Sequence, residues 1–162
     1  MRALLKVIIP AGAGLIIALG VALVIRVPWA RPAESVEISR MVHRVVIQIS
    51  QDDPKTMNLA LNNAENLTNF YRERDQKVEI EFVALGPGIA MVRSDDSPVK
   101  DRLARMSHDY KNITFSGCGN TLAKVSKAEG RQITLLPEAH LVPTGIARIV
   151  QLEERGWTYV RP

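Results

Sequence analysis

From His43 onward the chain alternates short β-branched apolar runs with segments of helical periodicity, and no other feature restricts its fold as strongly. "RVVIQIS" (Arg44–Ser50) has the length and composition of a buried strand. In "QDDP", Asp53 is placed to cap a helix whose first residue is Pro54, where a missing N–H costs nothing. Met57, Ala60, Leu61, Ala64, Leu67 and Tyr71 then recur at helical spacing and make one apolar face. "VEIEFVAL" (Val78–Leu85) alternates, turns fully apolar, and is broken by Gly86-Pro87-Gly88. A helical piece over Ile89–Val92 follows, then a helix from Ser97-Pro98 with Val99, Leu103 and Met106 inward. "NITFSGC" is the third strand, and a short helix over Thr121–Lys127 stops near Gly130. "HLVP" (His140–Pro143) is a brief fourth strand, Thr144–Gly156 a helix capped by Thr144, and "WTYVRP" a closing strand.

Such alternation implies parallel strands joined by right-handed crossover helices. The expected fold class is α/β, a flavodoxin-like three-layer doubly wound parallel sheet of five strands in the order 2-1-3-4-5. In that order the third strand lies beside the first. Their carboxyl ends would then open a crevice walled by Asp52, Asp53, Gly86, Gly88, Gly117, Gly119, Asn120, Thr121, Thr144 and Gly145.

Before this domain lies a run of different character. Val7 to Ile25 contains no charged residue and is bracketed by Lys6 and Arg26. As a helix it would span roughly 28 Å, near the thickness of a bilayer's hydrocarbon core. It exceeds the usual core of a signal peptide, about 7–15 residues, and Pro28 spoils a cleavage site after Ala30. The expected organisation is a membrane anchor over residues 1–26, a linker over 27–42 and an α/β domain over 43–162. A removed signal peptide is the rival reading. Gly14 and Ala18 form a small-xxx-small pair suited to helix association. A short basic head before an apolar run tends to stay cytoplasmic. That places the chain as a single-pass protein of the bacterial inner membrane with its domain on the periplasmic side.

Charge narrows the partners. Of the net +4, residues 1–40 hold five basic and two acidic side chains, and the remainder holds sixteen basic and fifteen acidic. The domain has no excess for nucleic acid, while the basic segment suits anionic headgroups. One cysteine allows no internal disulfide and no cysteine-type zinc site. His43, His108 and His140 fit no metal spacing, and Gly86-Pro87-Gly88 lacks the spacing and lysine of a phosphate loop. No cofactor is expected.

That lone cysteine, Cys118, stands between Gly117 and Gly119, where the third strand meets the next helix. A thiol reacts as its thiolate, and the unpaired N–H groups of a helix beginning at Asn120 or Thr121 favour an anionic sulfur. The flanking glycines would allow a second sulfur to approach, and would permit a tight turn of positive φ. A buried, inert cysteine is the plainer alternative. Asp52 and Asp53 could bind a cation or orient a proton, but read more simply as a solvated turn residue and a helix cap. Asn58 and Asn62 share a helix face.

The segments "VVIQISQDDP", "NLALNNAENL", "VEIEFVALGPGIAMV", "FSGCGNTL" and "LVPTGIARIVQLEERGWTYVRP", in this order and spacing, resemble the DsrE/DsrF-like family of small sulfur-relay proteins. The likeness runs from about Val45 to Pro162. It implies a flavodoxin-like fold, assembly into small homo-oligomers, and sulfur carried as a persulfide between donor and acceptor proteins. The cysteine of the "CGNT" segment corresponds to Cys118. The expected function is membrane-tethered sulfur transfer through Cys118. The alternatives are a non-catalytic binding or assembly module, and a thiol redox sensor that uses the same residue.

Overall fold

The computed structural model describes residues 41–162. The expected anchor, the small-residue pair within it and nearly all of the linker lie outside the described residues. Among the described residues no helix is long and apolar enough to cross a membrane.

Strand and helix alternate as expected. The strands are β1 (Val42–Ile49), β2 (Lys77–Ala84), β3 (Ile113–Cys118), β4 (Ala139–Val142) and β5 (Thr158–Val160). The helices are α1 (Pro54–Arg72), α2 (Lys100–Asp109), α3 (Gly119–Glu129) and α4 (Gly145–Glu153), with a 3-10 segment over Gly86–Val92. Local chemistry explains the boundaries. The Asp53 carboxylate accepts from the N–H groups of Lys55 and Thr56 and from the Thr56 hydroxyl, so α1 starts at Pro54. Such a cap contributes about 1 kcal/mol. Gly130, at φ 64°, ends α3 in the left-handed conformation.

All strand pairs are parallel, and the α/β layering is consistent with a flavodoxin-like fold. The strand order differs from the expected 2-1-3-4-5: it is β4-β3-β2-β1-β5. The cause lies in β2. From Ile80 to Ala84 every residue is buried, including those on both sides of the pleat. A strand of that kind needs cover on both faces and neighbours on both edges, so it belongs in the middle of the sheet. It pairs with β1 along all eight residues and with β3 along five. The edge beside β1 goes instead to β5, three exposed residues.

This order also fixes the layers. The chain steps from β1 to β4 in one direction, so α1, α2 and α3 follow crossovers to one face. There Val45, Ile47, Ile49, Ile80, Phe82 and Phe115 form the main core with Met57, Leu61, Leu103 and Met106. Phe82 and Phe115 stack at 5.2 Å. After β4 the chain returns across the sheet to β5, and α4 covers the other face. Ile149 and Leu152 pack there on Val46 and Val83, beside Leu85 and Trp157.

Following this reversal, the loop after β3 leaves toward one face and the loop after β4 toward the other. The crevice therefore opens between β3 and β4, not between β1 and β3. Asp52 and Asp53, beyond the end of β1, are separated from Cys118 by β2.

Gly88 belongs to the packing of this end of the sheet. A Cβ there would lie 2.3 Å from the Ile49 carbonyl oxygen, which is backbone and cannot swing aside. Gly88→Ala should lower stability by about 2 kcal/mol or more, read as a lower urea midpoint. An unchanged midpoint would show that β1 yields to the 3-10 segment.

Candidate functional site

Cys118 is the last residue of β3 and the cap residue of α3, with φ −70° and ψ 114°. It pairs in register with Val142 at the end of β4. Two residues on, Thr144 precedes α4, which begins at Gly145. A Cβ on Gly145 would lie 3.1 Å from the Cβ of Cys118 and 3.1 Å from that of Leu85, so glycine lets α4 start against the cysteine. Two helices thus present their amino ends to one sulfur. Only the first of them, α3, is expected from the sequence.

The side chain is 5% exposed. Burial pushes the thiol up. The Thr121 hydroxyl and the N–H groups of Gly145, Thr121 and Asn120 outweigh this, and the thiol lies below its ordinary value. Cys118 makes no side-chain capping hydrogen bond to α3. The hydroxyl and the N–H groups favour the thiolate over the thiol. The Thr121 hydroxyl oxygen accepts from the Gly86 N–H at 3.1 Å, which leaves its own hydrogen for the sulfur. The Asn120 N–H donates to the Pro143 carbonyl at 3.2 Å and lowers the thiol least of the four donors.

Thr144 occupies the cap position of α4 without a side-chain capping bond. Its hydroxyl accepts from Asn120 Nδ2 at 2.9 Å and ties α3 to α4 across the crevice. Of the expected wall, Asn120, Thr121, Thr144 and Gly145 gather around Cys118, with Gly86 joined through Thr121. Asp53 is a helix cap, and three of the glycines serve packing. At Gly117 a Cβ would come within 2.8 Å of Leu135 Cδ2, and at Gly119 within 3.2 Å of the Val142 carbonyl oxygen. Neither opens a path to the sulfur, and neither has positive φ, which among the described residues' glycines is confined to Gly86, Gly130 and Gly156. Gly88, as above, makes room for the backbone of β1.

Asp52 is exposed and lines a groove of about 440 Å³ with Gly86, Pro87, Thr121 and Lys124. Thr121 is the residue common to this groove and the sulfur. Asn58 and Asn62, together with Glu65, accept from Arg102 and fasten α1 to α2. Among the described residues no cluster of His, Cys, Asp or Glu could hold a metal ion.

Behind the cysteine lies a polar node that no sequence motif marks. Glu81 on β2 is buried, and its carboxylate accepts from Ser116 Oγ at 2.7 Å. Arg148 of α4 donates to both of its oxygens, at 2.8 and 2.7 Å. The node's one trace in the sequence is that Glu81 directly precedes the wholly apolar stretch Phe82–Leu85, at the end of an alternation it shares with Glu79.

No protein-family model matches the chain, and no curated protein matches it. Among solved structures it is similar to a protein of unknown function, MTH1491 from Methanobacterium thermoautotrophicum, with 30% identity and a TM-score of 0.62. The likeness covers 74% of this chain and 99% of that one, and the chain belongs to the same family.

The lowered thiol has a consequence for stability. An ordinary thiol titrates near 9.0. Between the folded value and that one, the native state has lost a proton that the unfolded state keeps, so stability rises with pH across this window. It is lost again as pH falls through the folded value. In urea unfolding, the free-energy difference between wild type and Cys118→Ala should therefore grow in favour of wild type as pH rises toward 9. Thr121→Val should weaken that trend. A difference independent of pH would show that the donors do not act on the sulfur.

Proposed function

We propose that the protein is a sulfur carrier of the DsrE-like type that holds a persulfide on Cys118. The observation that carries this reading is the meeting of two helix amino ends and the Thr121 hydroxyl at a single sulfur. Burial alone would disfavour an anion there, and the surrounding donors reverse that preference. In the first step the Cys118 thiolate attacks the outer sulfur of a donor persulfide. A sulfur–sulfur bond forms to Cys118, the donor's own bond breaks, and the donor leaves as a thiolate. The outer sulfur keeps its proton or releases it to water. The same N–H groups then favour the persulfide anion, the form that passes sulfur to an acceptor thiol.

Transfer to or from a sulfur so little exposed requires the β4–α4 turn to part from α3. The Asn120–Thr144 and Asn120–Pro143 bonds span that seam. Each is an ordinary hydrogen bond, worth about 1 kcal/mol net, so the turn over Pro143 and Thr144 can part while the Arg148–Glu81 pair keeps α4 on the sheet. On this reading residues 7–25 tether the domain to a membrane on its periplasmic side. Copies of the chain assemble together, and separate donor and acceptor proteins dock over the seam.

The 5% exposure of Cys118 favours a second reading, an assembly module in which the thiol is packed and unreactive. One experiment separates the two. Wild type incubated with glutathione persulfide should gain the mass of one sulfur atom, and Cys118→Ser should fold normally and gain none. A wild-type mass that stays unchanged, with a thiol that alkylates only after unfolding, would overturn the carrier reading and leave the second.

A further inference from the structure

Helix α4 has only nine residues, and it buries just two large apolar side chains, Ile149 and Leu152. Contacts of that kind have no direction and leave a short helix free to slide or turn on the sheet. The Gly145 N–H, however, serves the cysteine only if α4 starts at one height and one rotation. The Arg148–Glu81 pair supplies both restraints. Arg148 lies one turn after Gly145, and its guanidinium grips Glu81 with two parallel bonds. Glu81 is 3% exposed and is fixed in turn by Ser116, two residues before Cys118 on the same strand face. A bidentate pair of this geometry sets distance and orientation together.

We infer that Glu81 and Arg148 are positioning residues that hold the first turn of α4, and with it the Gly145 N–H, against the Cys118 sulfur. As an account of how the sulfur site is tuned, the inference rests on the carrier reading. Its measurement needs no sulfur donor, so the two fail separately. The ionisable side chains on the nearby halves of the elements around Cys118 are Glu81 on β2, His140 on β4, Lys124 on α3 and Arg148 on α4.

The sign of the effect separates positioning from plain electrostatics. Removing a negative charge near a thiolate, with nothing else changed, makes the thiolate easier to form. Loss of position does the opposite. Thiol titration followed by the ultraviolet absorbance of the thiolate, with Cys118→Ala as blank, reads the outcome in the intact protein. Glu81→Gln should move the Cys118 midpoint upward and cut the thiolate fraction at neutral pH by roughly three- to tenfold. Arg148→Lys, which keeps the charge and loses the fork, should move it the same way. A downward shift in Glu81→Gln, or no shift in Arg148→Lys, would overturn the inference. Should Glu81→Gln fail to fold, Arg148→Lys decides alone, because its side chain reaches solvent.

Discussion

When two neighbouring parallel strands send their following loops to opposite faces of a sheet, backbone withdraws from between their carboxyl ends. In this chain those strands are β3 and β4. The helices that follow them, α3 and α4, start on either side of the gap with their unpaired N–H groups directed into it. Cys118 is the residue at that point. Its charge preference is set first by the Thr121 hydroxyl, and the N–H groups at the two helix ends, which follow from the path of the chain, add to it.

The rest of the molecule keeps those helix ends still. At its far end α3 is held by a second ionic node. Arg93, buried after the 3-10 segment, donates to Asp95 and to Glu129 in the last turn of α3. Asp95 and Glu129 hold the guanidinium well above its ordinary range, and Arg93 draws the Asp95 carboxyl well below its own. With Arg93 buried and its carboxylate partners only partly so, such a node adds little net stability over an apolar substitute. It does penalise any displacement that would separate the charges. The helices that meet at the sulfur are therefore each tied by an arginine, α3 at its carboxyl end and α4 within its first turn and a half.

Most of the element pattern was legible because local rules decide it. The Asp53 cap, the apolar stripe of α1 and the stop at Gly130 each depend on a few adjacent residues. Strand order was not, because it rests on the relative burial of strands far apart in sequence. The clue was present in "EFVA", whose residues point to both faces and are all buried, but the commonest order for five strands was preferred over it. The candidate site was legible at Cys118, Asn120 and Thr121, which share a stretch of chain. Gly145 was read as part of the wall. Its role as the start of a second helix against the sulfur depends on α4 crossing to the other face of the sheet, which follows from β5 lying beside β1. Glu81 and Arg148 are 67 residues apart and could be matched only once the sheet had brought them together. The flanking glycines misled. They fill tight packing against Leu135 and the Val142 carbonyl, and flexibility and access play no part.

The return crossover has a bearing on biosynthesis. Strands β1 to β4 lie in chain order, each beside its predecessor, so an emerging chain can add them one at a time. Everything after Val142 must then travel back over three strands before β5 can join β1. A nascent chain that has completed β4 already owns its cysteine, its strand end and its first helix. It lacks Gly145, Arg148 and the cover over Val46 and Val83. The sulfur therefore meets its full set of donors only once α4 has docked on the second face of the sheet.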